Sequence, residues 1–209
     1  MSHISSQEPD SALLLDLLRS KLGTQFSELR FERGHVVARV AREGMLDFFQ
    51  LLKIDTQLDF NMLLSVTVVD WMDQAEERFE VVYHLLSIPN RYRLRVKIWA
   101  PETSPEVESL CSLWSSANFM EREAWDMYGV VFRNHPDLRR ILTYDEFKGY
   151  PLRKDYPVQG KQPRVKMLHP EVQNTARSMI RPDLVQIRSR SETQTPAVNE
   201  QDVEKGGAA

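Results

Sequence analysis

The chain is poor in the residues on which redox and nucleotide chemistry usually rest. It has one cysteine, Cys111, among 209 residues. One thiol cannot close an intramolecular disulfide, and it cannot supply the four thiolates an iron–sulfur cluster usually takes. Glycine is scarce, at 8 residues. There is no Gly-rich phosphate loop, no nucleophile elbow and no metal-spaced Cys/His set. No apolar run approaches the ~18 residues that would span a bilayer. Charge of one sign is also missing: the formal net charge is −3, which gives no general reason to expect nucleic acid as a partner. The start, MSHISSQEPDSALLLDLL, has no basic segment and carries Glu8 and Asp10, so it reads as neither a signal nor a transit peptide. A reducing, cytoplasm-like compartment is expected. What is present is a 42% hydrophobic content, enough for a core, in a length that suits one domain with an appendage.

Residues 1–9 read as a flexible N-terminus. Asp10 or Ser11 is expected to cap a helix with Leu14, Leu17, Leu18 and Leu22 on its apolar side, ended by Gly23. FSELRFERGHVVARVA predicts a hairpin turning at Arg33-Gly34, with Val36, Ala38 and Val40 on one face. EGMLDFFQLLK changes to helical spacing, placing Met45, Phe48, Phe49 and Leu52 together. Three strands follow. NMLLSVTVVDW is so apolar that it suggests a strand buried on both faces. RYRLRVKIW alternates, with Tyr92, Leu94, Val96 and Ile98 against Arg91, Arg93, Arg95 and Lys97. The order predicts an α+β domain over residues 10–115, with a mixed or antiparallel sheet of about five strands and helices on one face.

After Trp99 the texture changes. PETSPEVESLCSLW is expected to be a helix with Ser104 as N-cap and Pro105 in its first turn. A second helix, running to Gly129, opens a segment assigned to residues 116–190. Within it FKGYPLRKDYPVQGKQPR, rich in Pro, Gly, Tyr and basic residues, has no periodicity and no core of its own. It reads as an extended C-terminal strap laid on another surface. Residues 191–209 are polar and small and read as a disordered tail.

The chemistry concentrates in EREAWDMYGVVFRNHPDLRRIL. On a helical wheel Glu121 lies within the apolar arc, where a carboxylate is desolvated and requires a cation or several donors. Arg122 and Asp126 fall opposite, four apart, and can pair across a turn. Arg139 and Arg140 are expected to neutralise Glu121 and Glu123 if the chain reverses at NHPD. A catalytic or metal-binding reading of Glu121, Glu123 and Asp126 competes with an ion-pair lock. The lock is favoured, because Glu121 and Glu123 diverge by about 200° and no Glu-x-x-His pair is present. His135 before Pro136 fits a turn. The cationic strand face could bind RNA, but only Trp99 offers an aromatic there, so a solvated face paired with Glu80 is favoured. His84 is expected to be a surface or cross-strand partner.

Glu121-Arg122-Glu123, Asp126, Gly129, Phe132, His135-Pro136 and Arg139-Arg140-Ile141-Leu142 together resemble the signature of one family. It is the C subunit of bacterial NADH:quinone oxidoreductase, the counterpart of the 30-kilodalton subunit of respiratory complex I. The stretch Tyr150, Pro151, Leu152, Arg153, Lys154, Asp155, Tyr156, Pro157 to Gly160 is similar to that family's next segment. The resemblance covers residues 10–164 and is to the form not fused with the D subunit, which carries the quinone site. It implies a non-redox member of the peripheral arm, on the cytoplasmic side of the bacterial inner membrane. Such a protein has no catalytic residue and no cofactor or metal of its own, while FMN, iron–sulfur clusters, NADH and quinone belong to the assembled enzyme. It implies docking mainly on the quinone-site D subunit, with the B and I subunits nearby, no nucleic acid, and membrane contact only through the complex. The residues named in this paragraph, apart from Ile141, Leu142, Leu152 and Gly160, are the expected docking and signature positions. Two other readings are a homologous component of a membrane-bound hydrogenase or photosynthetic NDH-type complex, and a stand-alone carboxylate hydrolase.

Overall fold

The alternation of β-branched residues in the middle of the chain builds one sheet, and the helices cover its apolar side. The computed structural model describes residues 8–23 and 25–163. Residues 1–7 and the 164–209 stretch, which includes the expected tail, lie outside the described residues. Helix α1 (Glu8–Leu22) is followed by strands β1 (Phe26–Glu32) and β2 (His35–Val40), helix α2 (Met45–Ile54) and strands β3 (Met62–Asp70), β4 (Phe79–Leu86) and β5 (Arg93–Ala100). Then come a short strand β6 (Glu106–Glu108), helix α3 (Ala117–Tyr128) and a short strand β7 (Val131–Arg133). The main sheet has the order β1-β2-β5-β4-β3. Only β2 and β5 run parallel in it, which gives the mixed five-stranded α+β architecture expected.

The hairpin turns where expected, with Arg33 at φ 50° and Gly34 at φ 83°, the left-handed pair a two-residue turn requires. Val36, Ala38 and Val40 of β2, Leu94, Val96 and Ile98 of β5, and Val81, Tyr83 and Leu85 of β4 all point into the core. Leu14, Leu18 and Leu22 of α1 and Phe48, Phe49 and Leu52 of α2 close over them. Phe49 is fully buried and meets Phe48, Tyr83 and Trp114 edge-on at 5.8, 5.0 and 6.1 Å, the geometry that aromatic quadrupoles favour.

Three expectations are corrected. Helix α1 begins at Glu8, before the expected cap, because Pro9 fits the first helical turn, where its missing N–H is no loss. Strand β3 is an edge strand, buried on one face only; its high apolar content fills that face and leaves Met62 and Leu64 exposed. The segment from Ser104 is not a helix. Glu106–Glu108 pairs in parallel with Val131–Arg133, and only turns follow up to α3. Val107 and Phe132 enter the core side by side, and this burial overrides the N-cap signal.

Phe49→Ala should cost about 3–5 kcal/mol, read as a lower denaturant midpoint with an unchanged slope.

Candidate functional site

Helix α3 positions the motif acids. Gly129 ends it at φ 75°, with its N–H on the Trp125 carbonyl. A β-carbon at Gly129 would come within 2.5 Å of the Tyr150 ring, so glycine is required here both for the turn and for the return of the chain.

Glu121 is fully buried, as its place on the wheel predicts. The cation expected for it is not Arg139 or Arg140. Its carboxylate instead accepts from the Ser109 hydroxyl at 2.6 Å, the Leu110 N–H at 2.7 Å and the Cys111 thiol at 3.5 Å. Burial pushes its pKa above the ordinary value, and these donors only partly offset that. The segment that follows β6, where a helix is expected from the sequence, is what delivers them.

Cys111, Glu121 and His135 place ligand atoms within 4.8 Å of one another. Their chemistry favours a closed hydrogen-bond cluster over a metal site. His135 Nδ1 accepts from the Asp137 N–H at 3.0 Å, so Nε2 carries the proton and donates to the Asn118 carbonyl at 3.1 Å. Burial pushes the Cys111 thiol up to about 11. Both Glu121 oxygens are already occupied, and structural zinc takes four ligands rather than three.

Asp126 is also fully buried, but its surroundings are the opposite. It accepts from the backbone N–H groups of Ile141, Leu142 and Thr143 at 3.1, 2.8 and 2.8 Å. The Thr143 hydroxyl lies at 2.5 Å and Arg140 Nη1 at 2.6 Å. Successive amides folded around one anion form a nest. Burial opposes ionisation of Asp126, but the Thr143 groups, the Leu142 amide and Arg140 outweigh it and hold the carboxyl at about 2. Arg140 also donates to the Phe147 carbonyl and lies over the Trp125, Phe147 and Tyr150 rings.

Arg122 does not pair with Asp126 as expected. Its guanidinium donates to the carbonyls of Arg139 and Arg140, each at 3.1 Å. Helix and ribbon thus exchange charge for backbone dipoles in both directions. Arg139 itself is surface-bound to Asp137 at 2.9 Å. Glu123 is exposed and has neither hydrogen bond nor ion pair among the described residues.

The ribbon, expected from the sequence to lie on another polypeptide, packs against its own chain among the described residues. Phe147 meets Tyr144 edge-on at 5.6 Å and stacks on Tyr156 at 6.0 Å. The Leu152 N–H donates to the Met127 carbonyl, and Arg153 Nε to that of Tyr128. Farther along, a second buried carboxylate holds it. Asp70 takes Arg78 bidentately, both contacts at 2.9 Å, and accepts the Lys154 N–H at 2.9 Å. Arg78 extends to Asp155 at 3.0 Å and Glu102 at 2.5 Å. Burial disfavours ionised Asp70, yet Arg78 and the Lys154 and Met72 amides bring it to about 2. Sequence reasoning missed Asp70 and Arg78. The available signal was a pair of opposite charges flanking the β3–β4 loop, each beside an apolar strand residue.

Pro151 is half-buried, and Lys154 and Pro157 are exposed. Phe132 is core and Pro136 exposed at its turn.

Comparisons with known proteins agree on one group. Residues 38–162 match the family described as respiratory-chain NADH dehydrogenase, 30 Kd subunit. A relative from Geobacter metallireducens, named as the C subunit of NADH-quinone oxidoreductase, is 47% identical over 143 residues, covering 68% of this chain and 87% of the relative. One of the same name from Acidithiobacillus ferrooxidans is 43% identical over 148 residues, covering 68% and 73%. Among solved structures, a trypsin-resistant fragment of Nqo5 superposes with a TM-score of 0.53 at 31% identity, covering 62% of this chain and 99% of the fragment. A chain of an archaeal membrane-bound sulfane sulfur reductase, 23% identical, shares the fold with a TM-score of 0.60 over 73% of this chain and 88% of its own length.

Asp126 and Asp70 each have a folded pKa below the ordinary 3.8. Their stabilisation is therefore complete above about pH 4 and lost as pH falls toward 2, by about 2 kcal/mol each. Acid unfolding followed by circular dichroism should show this, and Asp126→Asn should flatten the slope by about one proton. At neutral pH Asp126→Asn should cost about 3 kcal/mol.

Proposed function

This chain belongs to the 30-kDa subunit family of respiratory-chain NADH dehydrogenase, and from that premise we propose that it is a non-redox member of the peripheral arm of a proton-translocating NADH:quinone oxidoreductase. It docks on the quinone-site D subunit, with the B and I subunits nearby, and makes the arm rigid. FMN, the iron–sulfur clusters, NADH and quinone are handled by other polypeptides of the assembly. The chain works on the cytoplasmic side of the membrane and touches the membrane only through the complex. Among its described residues no helix is long and apolar enough to cross a bilayer.

The observation that carries this reading is the division of labour among the motif acids. Glu121 and Asp126 are consumed inside the fold, so neither is free for acid–base chemistry. Glu123 is left outside without a partner among the described residues. Phe119, four residues earlier on the same helix face, is 63% exposed. The ribbon held against this helix adds Leu142 at 63% and Leu152 at 53% exposure. A lone carboxylate with exposed apolar side chains nearby suits a protein interface, where apolar contact supplies affinity and one charge sets register. The internal anchoring of the ribbon supports the rigid presentation of that surface.

Mild-detergent purification of the tagged chain should recover the quinone-site D subunit together with B and I, identified by mass spectrometry. Companions characteristic of a hydrogenase would instead reassign the complex. Glu123→Lys with Phe119→Asp should lower the assembled complex several-fold, with the melting temperature of the isolated chain nearly unchanged. Full assembly of that variant with quinone reduction lost would point to a direct catalytic role and overturn the reading.

A further inference from the structure

The face of the sheet turned away from the helices is not uniformly charged. Toward the C-terminal end of β5 it is balanced: Lys97 meets Glu80 at 2.7 Å, Arg30 meets Glu28 at 3.1 Å, and Arg39 approaches Glu77 at 3.9 Å. At the opposite end lies a depression of 380 Å³ whose lining includes His35, Leu64, Ser65, His84, Arg93 and Arg95, with no carboxylate in its wall among the described residues. Arg95 Nε donates to His84 Nε2 at 2.9 Å, and the Ser65 hydroxyl lies 2.9 Å from His84 Nδ1. The imidazole is therefore neutral, with its proton on Nδ1. Arg95 thus leans on a neutral ring and lacks a counter-charge among the described residues. Arg93, two residues away on the same face, is exposed and has no partner among the described residues. Glu32 stands opposite His35 in the hairpin but is held by Arg30 at 3.3 Å. Burial first, and then Arg95 and His35, push the His84 imidazole below its ordinary value.

Apolar groups border the same corner. A bulge in β3 between Leu63 and Ser65 turns Leu64 outward and brings Ser65 opposite His84. Met62, Leu64 and Ile88 are exposed by 44%, 39% and 60%. Adjacent like charges are unfavourable unless something supplies the opposite sign. Apolar walls fit a polypeptide better than a hydrated ion. RNA is disfavoured because the aromatic rings of this face, Trp71 and Trp99, stand at its other end.

We propose that this corner is a second docking surface, which takes an extended, carboxylate-bearing segment of a neighbouring polypeptide, its carboxylate on Arg93 and Arg95 and its apolar side chains on Leu64 and Met62. The proposal rests on the reading that the chain works within an assembly. It adds a contact on the side of the sheet opposite α3, so that the chain bridges two neighbours or grips one from two sides.

The test is photo-crosslinking in the assembled, detergent-solubilised enzyme, with benzoylphenylalanine placed at position 93 in one preparation and at position 119 in another. Position 93 should crosslink to an Asp- or Glu-containing peptide of another polypeptide, identified by mass spectrometry. Arg93→Ala with Arg95→Gln should weaken retention of the chain in the complex about tenfold, with loss at lower salt, while leaving its melting curve unchanged. A crosslink at 119 with none at 93 would overturn this inference and leave the proposed function standing. No crosslink at either position would remove both. Binding of the purified chain to phosphatidylglycerol-containing vesicles, abolished by Arg93→Ala, would overturn it in favour of a lipid headgroup.

Discussion

Much of the chain beyond the sheet depends on one carboxylate. Asp126 gathers three consecutive backbone amides, a hydroxyl and a guanidinium from the segment Arg140–Thr143. A ribbon without a hydrophobic core has no other strong reason to stop at one place. Charge-assisted hydrogen bonds from several donors, in a site closed to water, supply that reason. Arg140 then passes the constraint on, through ring contacts and carbonyls, to Phe147 and Tyr150. Asp70 and Arg78 repeat the device farther along, so the ribbon is pinned at two points to one rigid body.

Glu121 shows the same residue class under a different rule. It is as buried as Asp126, but its hydrogen bonds come from neutral donors and the His135 imidazole stands off at 4.0 Å, so burial prevails and its ionised form is disfavoured. Two acids five residues apart on one helix are driven in opposite directions by what faces them. Such a split is often the mark of an acid–base pair in an enzyme. Here neither group faces open space, and both are satisfied by their own chain. The split serves structure, and Glu123 is left exposed.

The two faces of the sheet extend this logic outward. One carries the helices and, with them, the α3 stripe. The other carries strand side chains whose charges cancel at one end and accumulate at the other. On both faces charge unpaired among the described residues and exposed apolar area coincide.

Periodicity made most of the elements legible. Alternation in RYRLRVKIW and helical spacing in MLDFFQLLK reflect local geometry, and both elements appear where that geometry places them. That buried charge demands a partner was legible in the motif, but of the expected lock only Asp126 meets an arginine, Arg140, while Glu121 takes neutral donors and Glu123 stays exposed. Which arginine meets which acid was not legible, nor was the conversion of the Ser104 segment from helix to strand. Strand β6 exists because Val131–Arg133 lies beside it, and Glu121 finds its donors because β6 exists. Asp70, Arg78 and the basic corner at His84 depend in the same way on residues distant along the chain. Burial pattern and secondary structure are properties of neighbours in sequence and can be read from it. Pairing between charges is a property of neighbours in space, and it emerges when the chain has folded back on itself.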